Sequence, residues 1–490
     1  MNISNLRHIK NNHTLFIYNK YQPNFIFAVL MLCLSSSIMI AQDTEVVDTT
    51  NYKADSSLLS LQQCINFALQ NNAAIKNAEL DIDAAIMTKK AAYTKFYPSI
   101  SATSGAFKSV NPFVDVDMKD VELKVSSSDA NVNDVLQTLY NTYGPYLSNI
   151  DLNMKMVDDG IYVGVMAVQP VYAGGRIVNG NKLANLGIDA MQLKSDLTEK
   201  DVIAKTEDAF WLVVSLQEKY KTVNAFTTLL DTLYKDVAGA CEAGLTTKND
   251  LLKVKIKQNE LRSNELKLRN GIVLAKMALC QQIGLDYDEN LTIAETNDSI
   301  DNPWQYAVNF DMAVENRDEA KLLNISVDVE RFKEKMTRGE YLPQVGIGAA
   351  YTYNNLLDKN ANNALVFATI SVPISGWWEG HYNIKKQKIQ TQIAANTRDN
   401  ANQLLKLQMI QMWNELTELY QQVEYSAEAV EQAKDNYKYV KDYYDAGMST
   451  IAELLEAQSL LQQSYDAYND AVIDYRKSLT TYRLNSGITY

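Results

Sequence analysis

The sequence predicts a mainly α-helical chain with a β-barrel contribution, in which one helix–strand–strand–long helical hairpin unit occurs twice. Three observations predict it. Two near-identical hairpin tips, Ala243-Gly244-Leu245-Thr246-Thr247 and Ala446-Gly447-Met448-Ser449-Thr450, lie 203 positions apart. Four segments of about ten residues switch to period-two alternation, the spacing of strands with unlike faces. From Arg176 to Ile283 there is no proline, and apolar residues recur at helical spacing, broken only at Gly244.

At each tip a Gly closes a long helical pattern, where its access to positive φ suits a C-cap. A Thr then stands three places before an acidic residue (Thr247 with Asp250, Thr450 with Glu453), a capping-box pattern for a new helix. Each tip thus ends one helix and starts its antiparallel neighbour.

Charge excludes one class of partner. The 490 residues carry a net charge of −13, with a pI near 4.9, whereas nucleic-acid binding needs a basic face. Tyr outnumbers Phe 29 to 12, which suits surfaces apolar at one end and wet at the other.

Residues 1–41 read as a signal peptide: Arg7, Lys10 and Lys20 precede an apolar run from Phe25 to Ile40, short for a spanning helix. Met31 offers an alternative start. Leu32 before Cys33, where a lipoprotein signal has a small residue, argues against lipidation. The remaining Cys64, Cys241 and Cys280 are odd in number and lie in helical patterns, so they read as buried thiols and not a disulfide framework. No run of eighteen apolar residues follows the signal. An exported chain of this kind is periplasmic, secreted, or an outer-membrane β-barrel.

In order, 42–57 is a polar tail and 58–285 the first repeat. Leu61 to Tyr93 is helical with a break at Asn71-Asn72. Strands are expected near 97–106 and 161–170, separated by a long acidic loop, and a helical hairpin over 176–284 turns at 244. The hairpin's first arm would span about 100 Å at 1.5 Å per residue. Residues 286–305 form a linker, and 306–490 the second repeat. Its strands are expected near 341–353 and 364–374, and its hairpin over 377–486 turns at 447. Tyr341, Val345, Ile347, Ala349, Tyr351 and Tyr353 would point one way, Gln344, Gly346, Gly348 and Thr352 the other. The repeats differ by an insertion of 42 residues in the first strand-to-strand loop, where a loop tolerates it.

Strands of this length and alternation suit a water-filled barrel in an outer membrane. Four cannot close one, and open edges in lipid leave backbone groups unsatisfied. Two or three copies would supply eight or twelve strands.

The residues Tyr97-Pro98-Ser99-Ile100, Gln169 to Arg176, the two Ala-Gly tips and Leu454-Leu455-Glu456-Ala457-Gln458, in this order and spacing, resemble the TolC-like outer-membrane efflux protein family from about residue 58 to the C-terminus. The resemblance implies a homotrimer with a twelve-stranded transmembrane β-barrel and a periplasmic α-helical barrel. It implies a passive exit duct of a tripartite efflux pump for small molecules (drugs or cations), or of type I protein secretion. It also implies a periplasmic membrane-fusion adaptor, an inner-membrane RND or ABC transporter, and outer-membrane lipid as partners, with no cofactor and no metal.

By the same resemblance Glu453 and Glu456 match the family's acid-x-x-acid pattern at the periplasmic aperture, with Asp250 the first repeat's acidic residue and Lys253 where its pair would stand. The family's gate-locking basic residue is missing near Ser449 and Thr450. Gly244, Leu245, Thr246, Gly447, Met448 and Ser449 would form the tips that meet the adaptor. Tyr172, Trp377 and Trp378 sit where interfacial aromatics belong, or pack the strand-to-helix junction. Tyr465, Tyr468, Tyr475 and Tyr482 are expected to pack helices. After the signal only His381 remains of the histidines, and no CxxC, HExxH, P-loop or nucleophile elbow is present, so an enzyme is not expected. The rival from another class is a coiled-coil stalk or adhesin, which has no use for the alternating segments.

Overall fold

Four strands meet four helices at one junction, and the elements keep the same lateral order on both sides of it. A computed structural model describes residues 58–108, 114–118, 152–156, 159–289, 291–294, 300–355 and 360–488. The signal peptide, the polar tail, Cys33 and most of the acidic loop lie outside the described residues. The chain divides into Met1–Asp55 and Ser56–Tyr490, and every described residue belongs to the second unit.

Each repeat begins with a short helix and a longer one, α1 (Leu61–Asn71) with α2 (Ala73–Tyr93), and α5 (Phe310–Asn316) with α6 (Asp318–Glu340). Asn72 makes the first break: its Oδ1 accepts from Ala74 N at 2.8 Å and its Nδ2 donates to Gln282 O at 2.7 Å. The hairpins are α3 (Arg176–Glu242) with α4 (Lys248–Ile283), and α7 (Gly376–Asp445) with α8 (Ile451–Ser486). The descending arms α4 and α8 have the same length, 36 residues, as a duplication requires. Among the described residues no helix is long and apolar enough to cross a membrane.

The strands β1 (Ser99–Lys108), β4 (Asp159–Ala173), β5 (Gln344–Asn355) and β6 (Ala361–Ser371) form one antiparallel sheet in the order β1-β4-β5-β6. The helices attached to them pack in the matching order α2, α3, α6, α7. Nearer the tips, α4 takes the place of α2 beside α3, and α8 fits between α3 and α7. Between β1 and β4, where a loop is expected, β2 (Val114–Met118) and β3 (Leu152–Met156) pair antiparallel. The apolar positions Val114, Val116 and Met118 meet Met156, Met154 and Leu152 in register, so the acidic stretch still carries a local pairing pattern.

Register sorts the main sheet into two faces. Ile100, Ala167, Ala349 and Val366 form one row across all four strands, and Ala102, Val165, Tyr351 and Ala364 the next row on that face. The opposite face carries rows such as Thr103, Gly164, Thr352 and Asn363. One face is therefore apolar across its middle rows, and the other polar or small with a few large residues, including Met166, Leu365 and Phe367.

Two strand starts differ from expectation for one reason. Pro98 and Pro343 hold the chain at the helix exits, and the ladders begin after them, at Ser99 and Gln344. Tyr341, expected on β5, instead caps α6: its carbonyl accepts from Trp377 Nε1 at 3.0 Å and its hydroxyl from Asn383 Nδ2 at 2.8 Å. β4 runs beyond its expected end at Pro170 because the register shifts by a bulge between Pro170 and Tyr172.

Gly174 (φ +62°) and Gly339 bring β4's exit against α6 with backbone touching backbone, and a Cβ on Gly174 would collide with the Gly339 carbonyl. Gly174→Ala is therefore expected to cost more than about 1 kcal/mol. The thermal midpoint measures it, and an unchanged midpoint would contradict the close approach.

Three apolar clusters hold the helices. The first joins α1 to α3 and α4 through Cys64, Ala68, Phe210, Leu279 and Cys280. Burial pushes the Cys64 thiol up to about 12, which leaves it inert at neutral pH. The second, near the tips, joins both hairpins through Leu230, Val254, Leu261, Ile451 and Leu454. The third packs α5 on α7 and α8 around Tyr475 and Tyr482. Tyr465 and Tyr468 pack against the second and third clusters, so all four tyrosines of α8 serve helix packing.

Candidate functional site: the helical tips and the strand–helix junction

Both tips turn by the same hydrogen bonds. Gly244 N and Leu245 N donate to Cys241 O and Ala240 O at 3.1 and 2.8 Å; Gly447 N and Met448 N donate to Tyr444 O and Tyr443 O at 2.9 and 2.8 Å. This is a Schellman closure, and Gly244 and Gly447 hold φ at +76° and +74°. It leaves Leu245 and Met448 as bare apolar points, 83% and 68% exposed.

The restart differs between the tips. At the second, Thr450 Oγ1 accepts from Glu453 N, and Glu453 Oε2 accepts from Thr450 N at 2.7 Å, a complete capping box. At the first, Thr247 Oγ1 accepts from Asp250 N, but the shorter Asp carboxylate does not return the bond to Thr247 N. It takes the hydroxyls of Thr247 and Thr246 instead, at 2.6 and 3.3 Å, and the Lys253 ammonium at 3.2 Å. The capping box expected at both tips thus forms at one, because Asp is one methylene short of Glu.

These contacts fix charge as well as shape. The Thr247 hydroxyl holds Asp250 below the usual carboxylate range, and the Ser449 hydroxyl, at 2.6 Å from Oε2, does the same for Glu453. Glu456 stands one turn beyond Glu453, and both are exposed while Leu454 and Ala457 face the core. Leu251 and Tyr444 pack in the same tip cluster, which brings the first tip beside the end of α7. Burial raises the Tyr444 phenol, with Asp250, Asp445 and Asp236 adding to the shift. That convergence of acids from three helices had no signal in the sequence, since it arises from packing between repeats.

At the other end Trp378 is 75% exposed, and Tyr172 and Trp377 are also exposed beside the sheet, with Trp377 tied to the junction through its bond to the Tyr341 carbonyl. A second aromatic group stands there unanticipated: Tyr93 meets Phe96 and Tyr97 at ring distances of 5.4 and 5.8 Å. Its sequence signal was present, three aromatics within five residues at a helix-to-strand exit.

Residues 311–484 match the family described as Outer membrane efflux protein. Among solved structures, the outer membrane protein VceC of Vibrio cholerae is 14% identical, with 87% of this chain and 96% of that one aligned at a TM-score of 0.66. CusC is 13% identical over 87% and 91% of the two chains, with a TM-score of 0.70. The MtrE outer membrane channel of Neisseria gonorrhoeae, in its open state, is 14% identical over 87% and 88%, with a TM-score of 0.66. No curated protein sequence matches significantly. The second repeat therefore carries the match to that family, and the chain as a whole shares the fold of these outer-membrane structures.

Proposed function

We propose that the chain is the passive exit duct of a tripartite efflux pump, a homotrimer with a twelve-stranded barrel in the outer membrane and a helical tunnel in the periplasm. The observation that carries this reading is the pair of sheet edges that no described strand covers. β1 and β6 end the sheet, and since the strands alternate in direction, β6 of one copy can pair antiparallel with β1 of the next. Below them the edge helices carry exposed apolar stripes, Leu80 and Met87 on α2 against Ile389 and Ile393 on α7. Copies joined head to tail would cover these stripes and close the barrel with its apolar rows facing lipid.

The tips are then the periplasmic end. Leu245 and Met448, with Gly244, Thr246, Gly447 and Ser449 shaping their turns, supply the surface for a periplasmic adaptor, which joins the duct to an inner-membrane transporter. Three copies bring six carboxylates from Glu453 and Glu456 around the aperture, with Asp250 near by. Both tip acids with lowered pKa stay ionised at neutral pH, which favours cations passing or lodging there. The likeness to CusC, described by its transmembrane channel formation, and to the MtrE outer membrane channel supports a duct.

Planar bilayers test the reading. The purified protein should form cation-selective channels that divalent or trivalent cations block. Glu453→Gln with Glu456→Gln should reduce both selectivity and block. An unchanged reversal potential and block in the double variant removes the aperture assignment, and a protein that stays monomeric without detergent removes the duct.

A further inference from the structure

We infer that the helices just below the sheet carry a basic collar that binds anionic phospholipid headgroups of the periplasmic leaflet. The inference rests on the outer-membrane reading above and adds a partner to it. All four helices of the layer contribute exposed cations close to the strand ends: Lys90 and Lys95 before β1, Lys182 after β4, Lys335 before β5, and Lys385 and Lys386 after β6. At 1.5 Å per residue the five on the helices lie within about 15 Å of their helix ends at the sheet, and Lys95 lies in the turn between α2 and β1. The chain as a whole carries a net charge of −13, so this band runs against its overall sign.

Three carboxylates of this layer have partners other than these six. Glu330 and Glu334 are taken by Lys333 and Arg338, at 2.7 and 3.3 Å, and Glu379 accepts from Asn383. None of the six forms an ion pair among the described residues. Lys182 and Lys335, from different helices, instead converge on the ring of Phe332 at 5.9 and 5.0 Å. Two ammonium groups brought to one ring without a carboxylate partner make a local concentration of positive charge.

The neighbourhood identifies the anion. The collar begins where the apolar rows of the sheet end, beside the exposed Trp377, Trp378, Tyr97 and Tyr172. Aromatics of this kind mark the depth of lipid headgroups, and long lysine stems let ammonium groups reach back to phosphates from just outside. Clusters of four to eight basic residues at a membrane boundary bind anionic lipid by charge.

The test compares the full-length protein with K90Q/K95Q/K182Q/K335Q/K385Q/K386Q and with the corresponding six arginine replacements, all reconstituted with phosphatidylcholine or phosphatidylglycerol. Native mass spectrometry counts the lipids retained. The natural sequence and the arginine variant should retain phosphatidylglycerol over phosphatidylcholine by about fivefold or more at 0.1 M salt, with the preference fading at 1 M as screening predicts. The glutamine variant should lose it while migrating on unheated gels like the parent. Equal retention of the two lipids by the natural sequence, or an undiminished preference in the glutamine variant, overturns the collar. So does a glutamine variant that changes only the reversal potential, which would place these lysines in the channel lumen. Association with phosphatidylcholine alone reports the membrane reading separately.

Discussion

Val366→Lys is expected to keep the chain out of the outer membrane, whereas Leu365→Lys, one residue away, is expected to leave assembly intact. Val366 is 87% exposed and lies in the row formed with Ile100, Ala167 and Ala349, at the middle of β6. Leu365 belongs to the opposite row, with Ser101, Met166 and Ala350. A lysine on the lipid face near mid-bilayer costs about 2–4 kcal/mol. The proposed trimer would carry it three times, so the total would rival the whole stability of an ordinary domain. A lysine on the lumen face meets water and costs little. Membrane fractionation and the unheated gel mobility of the assembled protein read the contrast directly. Equal loss in both variants would mean that the apolar row does not face lipid, and the duct would fall with it.

That contrast was half visible before the structure. Period-two alternation in Gln344 to Tyr353 already separates Ile347 and Ala349 from Gly346 and Gly348, because each residue's face follows from its parity. What the alternation could not give was register between strands remote in sequence. Only the pairing of Ala167 with Ala349 makes four stripes into one continuous surface. The hairpin tips were legible for the same local reason: a Gly at positive φ and a Thr cap are written within five residues. The failure at the first tip was local too, but finer, since Asp and Glu look alike as capping acids and differ in reach. Tyr341 misled because an aromatic before Leu342-Pro343 fits a strand as well as a helix cap. The acids around Tyr444 and the buried carboxylate of Glu207 were out of reach altogether, as nothing near them in sequence marks which neighbours they will meet.

Glu207 supplies the second large effect. It lies on α3 against α8 and is 2% exposed. Its Oε2 accepts from the Thr480 hydroxyl, and its Oε1 has no hydrogen-bond partner among the described residues. Burial pushes the carboxyl up to about 7, with the Thr480 bond and the nearby Arg483 charge opposing the shift and Asp208 adding to it. A folded pKa above the unfolded one means that the folded state holds the proton more tightly. The contribution of Glu207 to stability should therefore be most favourable below the ordinary range near 4.5, fall as pH rises through the interval up to about 7, and level off above it. Over that interval the buried charge costs up to about 3 kcal/mol at 1.36 kcal/mol per unit. Glu207→Gln keeps an oxygen to accept from Thr480 and removes the charge, at the expense of a buried amide that needs its own acceptor, about 1–3 kcal/mol if it finds none. The variant should gain on the parent between pH 5 and pH 8 by about three-quarters of the full titration cost, whatever fixed penalty the amide carries. Thermal midpoints, or hydrogen exchange of the α3 and α8 amides, at those two pH values give that difference. Parallel pH profiles for the two proteins would show that Glu207 does not titrate in this range and that its site is wetter than its burial implies.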